Sequence, residues 1–136
     1  MARYGKDHKL ATRRRIIEAA GRRLKRDGID GSGVAALMAD AGLTNGAFYA
    51  HFDSKDDLVA SAVADQLHEQ REAYSGQSLE QIVRGYLSIH HRDDREGGCP
   101  SAALLDEIAR SSEAVKRAYT DGQLALIDDA AARLAP

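Results

Sequence analysis

Few side chains of this 136-residue chain combine a reactive type with a spacing that supports chemistry. Cys99, the single cysteine, directly precedes Pro100. If Pro100 opens a helix, Cys99 is the N-cap. There the helix dipole favours a thiolate, and Gly98 beside it leaves the sulfur accessible to oxidants or electrophiles. A small residue at a helix start is the plainer reading of the same position. His68, Glu69 and Glu72 put a His and a Glu at i, i+4 on one helix, and His90 and His91 are adjacent. Neither group makes a three-ligand metal set, and an exposed polar face accounts for both. The sequence supports no Ser–His–Asp or Cys–His arrangement, no P-loop and no pair of catalytic carboxylates. The chain therefore does not read as an enzyme, and it implies no cofactor and no metal.

The other chemistry on offer is electrostatic. Residues 1–27 hold ten Lys/Arg against three acids, a net +7. Residues 28–60 carry −4 and residues 61–136 carry −5, so the overall −2 hides a basic head on an acidic body. That asymmetry suits an end that meets a polyanion. A solvated, Arg-rich helix face is the alternative. Arg13, Arg14 and Arg15 cannot share one face, because successive helical residues are about 100° apart.

The elements that must position these groups read as helices throughout. Apolar positions Ile16, Ile17, Ala20 and Leu24 give helical spacing in a first helix from about Asp7 to Asp27, closed by Gly28 as a left-handed cap. Ile29 folds back on the same core. Val34–Ala41 is a short second helix closed by Gly42. Thr44 caps a third, Asn45 to His51. Ser54 and Asp57 form a capping box for a fourth, apolar at Leu58, Val59, Ala62, Val63 and Leu67 and closed by Gly76. Ser78 and Gln81 form another box for a fifth, with Leu79, Ile82, Val83, Tyr86, Leu87 and His90 along one stripe. Pro100 opens a sixth with Leu104, Leu105 and Ile108 inside. Ser112 caps a seventh, with Val115, Tyr119, Leu126, Ile127, Ala130 and Leu134 as its apolar positions and an apolar face that wants a partner. One cysteine excludes a disulfide framework. No apolar run is long enough for a membrane span, and no apolar segment follows the basic start as a secretion signal would require. A reducing cytoplasm is the expected compartment.

The segment Val34 to His51 is two short helices joined by Ala41-Gly42-Leu43-Thr44. A four-residue turn with Gly sets two helices at a steep angle, and that angle lets the second enter a DNA major groove. Such pairs also occur in many helical proteins. Ile16-Ile17-Glu18-Ala19-Ala20, then Gly28, then the run Ala41-Gly42-Leu43-Thr44-Asn45-Gly46-Ala47-Phe48-Tyr49-Ala50-His51-Phe52-Asp53-Ser54-Lys55-Asp56-Asp57-Leu58 make a more specific pattern. It resembles the N-terminal domain of the TetR/AcrR family of bacterial transcriptional regulators over roughly residues 10–60. The remainder fits the family's helical ligand-binding domain loosely, Gly98-Cys99-Pro100 resembling one branch.

The resemblance implies an all-α fold, with a three-helix helix–turn–helix DNA-binding domain at 1–54 and an incomplete helical ligand-binding and dimerisation domain at 55–136. The implied DNA-binding residues are Thr44, Asn45, Gly46, Ala47, Tyr49, His51 and Lys55. Thr44 would hold a phosphate at the helix N-terminus. Asn45 would pair with a base edge, Gly46 and Ala47 would admit close approach, and Ala47 would touch a thymine methyl. Tyr49, His51 and Lys55 would hold the backbone. A lysine in a first turn opposes the helix dipole, which favours a functional reason for Lys55. Phe48 and Phe52 read as core. Two positions depart from the family pattern: Gly33 stands where the second helix usually has a Ser or Thr cap, with Ser32 a candidate substitute, and Leu24 replaces a large aromatic. The basic start, Arg3 to Lys9, reads as a disordered arm for the minor groove or backbone.

The partners implied are a double-stranded operator, a small-molecule effector of unknown identity and, in the full-length protein, a second copy. The implied pocket residues are Leu67, Tyr74, Tyr86, Cys99, Leu104, Ile108 and Tyr119. Family members usually continue through two more helices that build the dimer interface, so the chain reads as a truncated piece, a proteolytic fragment or a divergent short member. The leading expectation is a ligand-released, homodimeric repressor. The alternative is a helical ligand-binding or adaptor module that has lost DNA binding.

Overall fold

The computed structural model describes residues 2–135, all helices and connecting turns with no strand among them. Met1 and Pro136, the outer bounds of the two expected domains, lie outside the described residues. The helices are α1 (Ala2–Asp27), α2 (Val34–Asp40), the 3₁₀ helix η1 (Asn45–Ala50), α3 (Lys55–Tyr74), α4 (Leu79–Tyr86), α5 (Ile89–Asp93), α6 (Pro100–Ala109) and α7 (Glu113–Leu134).

The expected disordered arm is not there. Arg3 to Lys9 are the first turns of α1. The segment has no apolar periodicity to announce a helix, but its Arg3, Lys6 and Lys9 are strong helix formers. Tyr4 and His8, one turn apart, stack at 6.4 Å. At the other end of α1, Gly28 takes φ +85, and its N–H closes on the Leu24 carbonyl at 2.8 Å. Ile29 then returns to the core as expected. Ser32 does not cap α2: it is fully buried and its hydroxyl donates to the Gly28 carbonyl at 2.6 Å. Gly33 takes the N-cap position with no side-chain bond.

The turn between α2 and η1 pivots on Gly42, at φ +75. The expected third α-helix is instead a six-residue 3₁₀ turn. Asn45 and Gly46 are poor helix formers, and short 3₁₀ pieces are common connectors. Ser54 accepts the Asp57 N–H at 3.1 Å, while the Asp57 carboxylate accepts from Asp53 N rather than from the cap residue itself. The Ser78–Gln81 box is complete in both directions.

The fifth expected helix is broken in two. Leu87 ends α4, and Ser88 caps α5 by accepting the His91 N–H at 3.1 Å. The stripe that suggested one helix is not core: Leu87 is 77% and Val83 47% exposed. Leu105 is likewise exposed rather than inside, while Ile127 and Leu134 of α7 are exposed apolar positions. One continuous core runs from Ile16 and Leu24 of α1 through Leu37, Met38, Phe48, Phe52, Leu58 and Leu67 to Leu104, Ile108 and Val115. α3 lies at its centre, packed on α1 along one side and α7 along the other. At Gly122 a Cβ would stand 2.6 Å from Leu67, so glycine is what permits α7 to approach α3 so closely.

Candidate nucleic-acid interface and ligand cleft

Phe48 and Phe52 stack at 5.7 Å inside the core and anchor η1 from below. Thr44, Asn45, Gly46 and Tyr49 consequently face outward, Tyr49 with 77% of its surface exposed. Its ring stands edge-on to Phe48 at 5.0 Å, which braces an otherwise free aromatic. The Thr44 hydroxyl makes no cap bond, so it is left for an outside partner. Ala47 is half-buried and packs against the core, which leaves less of its methyl for a base than expected.

The arginine triplet, dispersed around α1, holds this unit in place. Arg13 lies over the Phe52 ring at 4.4 Å and donates to the His51 carbonyl at 2.6 Å. Arg15 donates to the Ala41 carbonyl at 3.0 Å, fixing the start of the turn. Arg14 pairs with Glu18 and with the buried carboxylate of Asp65 on α3. Apart from the Arg14–Glu18 pair within α1, their structural use was not visible in the sequence, because the other partners lie beyond the local helix. Arg23 and Arg26 are likewise paired, with Asp40 and with Glu96.

Charge is nonetheless left at the η1 surface. His8, Lys9, Thr12 and Arg15 of α1 and Leu43, Ala50 and His51 of the reader line a shallow groove of about 370 Å³. The buried Nδ1 of His51 has no partner. Burial, then Lys9, then Arg13 push the imidazole below its usual pKa, so it is neutral at pH 7. An unpartnered, buried Nδ1 is best left as the bare nitrogen, and the remaining N–H is then on Nε2, a neutral donor. Lys55 departs from expectation. Its ammonium donates to the Ile29 carbonyl at 2.8 Å, closing the loop after α1 onto α3. That bond gives the lysine a structural reason that the dipole argument lacked.

Of the seven residues expected to line a ligand pocket, three border one cleft. Tyr74, Tyr86 and Cys99 border a cleft of about 330 Å³ among α1, α3, α4 and the segment before α6. Leu67, Leu104 and Ile108 lie in the core instead. Tyr119 packs half-buried, its hydroxyl 3.0 Å from Ser101 Oγ. Helical spacing alone cannot separate a residue that faces a cleft from one that faces the core. Cys99 is the N-cap of α6, as its position before Pro100 suggests, but it is only 9% exposed, so the expected open access is absent. Its N–H donates to His91 Nε2 at 3.0 Å. Lys25 and Gln66 also line the cleft and went unnoticed in the sequence, Lys25 because a lysine in a last helical turn reads as a solvated cap. Glu107 of α6 also escaped notice: its carboxylate accepts the N–H groups of Ile29 and Asp30 at 2.8 and 2.9 Å, tying the helical body to the end of α1. No group of three metal-binding side chains occurs among the described residues, and none of their helices is long and apolar enough to cross a membrane.

Residues 16–62 match the family model described as bacterial regulatory proteins, tetR family. The chain is 42% identical over 69 residues to the HTH-type transcriptional regulator TtgR of Pseudomonas putida. It matches the probable HTH-type transcriptional regulator ArpR, also of Pseudomonas putida, to the same extent. Each match takes in 51% of this chain and 32% of the relative, so the chain spans about a third of those proteins. The HTH-type transcriptional repressor AcnR of Corynebacterium efficiens is 26% identical over 129 residues, covering 95% of this chain and 67% of that protein.

Proposed function

We propose that the chain, whose residues 16–62 match the tetR family of bacterial regulatory proteins, is a DNA-binding transcriptional repressor released by a small-molecule effector. The observation that carries this reading is the reader surface. A cored helix–turn–helix presents Thr44, Asn45 and Tyr49 outward beside a basic groove of His8, Lys9, Arg15 and His51. Exposed polar tips can reach base edges, while cations and neutral donors along the groove hold phosphates. Gly46 admits close approach, Ala47 offers a partial methyl contact, and Lys55 acts through the loop it holds. The basic residues Arg3, Lys6 and Lys9, now on a helix, extend the phosphate contact along the backbone.

One helix–turn–helix reads few base pairs, so the functional form is a homodimer on a palindromic operator. Repression rather than activation is favoured by the likeness to the transcriptional repressor AcnR. Residues 1–54 are assigned to DNA reading and 55–136 to effector response, and α3 belongs physically to both. The effector sits in the cleft bordered by Tyr74, Tyr86 and Cys99, and the protein works in the cytoplasm. An electrophoretic shift with the DNA flanking its own gene tests the reading. A specific shift that fades with added salt is expected. Failure to shift any such DNA in preference to unrelated duplex would favour a helical module without DNA binding.

A further inference from the structure

We propose that the cleft between α1 and α4 takes a small organic carboxylate, and that Lys25 is the residue that holds its charge. This rests on the effector-response reading above and names the chemical class of the effector.

Lys25 lies in the last turn of α1 with 7% of its surface exposed. Its ammonium donates to the Gly98 carbonyl at 3.1 Å, and no carboxylate among the described residues comes within ion-pair distance. A lysine has three N–H donors, and this one lines both this cleft and a second one beside it. The dipole at the end of α1 and the carbonyl hold the ammonium in place. They do not supply the counter-charge that a buried cation needs. Burial accordingly pulls the Lys25 pKa down, against weaker, distant attraction from Glu69 and Asp94.

The other polar groups around the cleft fit a single anionic head. Gln66, Gln70, Tyr74 and Tyr86 are uncharged groups able to orient it, and Ile82 with the tyrosine rings offers an apolar wall. The two acids on the lining already have partners. Asp94 accepts the Gly97 N–H at 3.0 Å, and Glu69 lies 3.4 Å from the Gln66 amide and 3.9 Å from Arg14. A volume of about 330 Å³ is at the small end for ligand sites. A carboxylate on Lys25 would compete with the Gly98 carbonyl and loosen the 94–99 segment from α1. That same helix carries Arg13 and Arg15, which fix His51 and Ala41 of the reader. Occupancy and reader geometry therefore share one rigid element.

The test is calorimetric titration and thermal melting of the full chain with benzoate, phenylacetate and 4-hydroxybenzoate, each beside its amide, and with benzylamine. The carboxylates are expected to bind and raise Tm while the amides and the amine do not. Lys25→Met should weaken carboxylate binding at least about tenfold, the effect of one charge-assisted contact. Lys25→Arg should retain much of it, and circular dichroism confirms that both variants fold. Equal binding of amides, preference for benzylamine, unchanged affinity in Lys25→Met, or no carboxylate binding at all would overturn the assignment. A carboxylate that binds through Lys25 but leaves a DNA complex intact would uphold the ligand class and contradict the effector response. Release of DNA by benzylamine or an amide alone would do the reverse.

Discussion

Phe48 and Phe52, at either side of the end of a six-residue 3₁₀ turn, are 1% and 2% exposed, whereas α4 and α5 together bury no side chain. The reader is short but nailed down: two stacked rings beneath it, Arg13 across its end and Arg15 at its entry. The flap formed by α4 and α5 is longer yet borders the cleft without joining the core. A surface that must match DNA benefits from preorganisation, and a cleft that must admit a ligand needs a wall that can yield. The low-stability parts of a fold are where such movement is found.

The contrast can be broken most sharply by truncation. Phe48→Ala should cost about 3–5 kcal/mol, the range for a large buried aromatic, and Leu87→Ala no more than about 0.5 kcal/mol. Denaturant unfolding reads both, and a comparable loss for the two would end the distinction. Hydrogen exchange gives the next largest effect. Amides of α4 and α5 should exchange at least about thirtyfold faster than those in the middle of α3, a gap of about 2 kcal/mol in opening free energy. Equal protection would mean that the flap is part of the core after all.

Lys55→Met offers a finer probe. It removes the bond to the Ile29 carbonyl and should cost about 1 kcal/mol of stability, with DNA affinity changed less than about threefold. A tenfold loss of affinity at unchanged stability would return Lys55 to the phosphate role. The smallest effect concerns pH. Because His51 has a lowered folded pKa, the unfolded chain binds more protons between that value and about 6.5. Stability must then rise with pH across that window and be lost as pH falls through it. His51→Gln should flatten this part of a series of melts between about pH 5 and pH 7, and an unchanged slope would remove the buried imidazole from the account.

Much of this was legible because the signals are local. Ser54, Ser78 and Ser112 announce helix starts through bonds three residues away, and Gly28 and Gly42 announce stops. The apolar spacing around Phe48 placed the core side of the reader correctly, and the outward side followed. What stayed hidden depends on distant partners or on balance. Lys55 meets a carbonyl 26 residues back, and Glu107 meets amides 77 and 78 residues back. The helical start of α1 rests on propensity without periodicity. The break at Leu87 is masked by an apolar stripe that runs on through it, and only Ser88 marks the new cap. The cleft was only half legible: Tyr74, Tyr86 and Cys99 border it, but Leu67, Leu104 and Ile108 share their spacing and face the core.

The most direct measurement of the central claim is fluorescence anisotropy of the full chain with a duplex from upstream of its own gene, repeated with Tyr49→Ala. Raising salt from about 50 to about 200 mM should weaken binding by at least about a hundredfold if several phosphates are held. Tyr49→Ala should bind at least about tenfold more weakly with an unchanged melting curve, since the ring is exposed and braced only by Phe48. A flat salt response, together with equal affinity of the two proteins for that duplex, would contradict the assignment of this face to DNA.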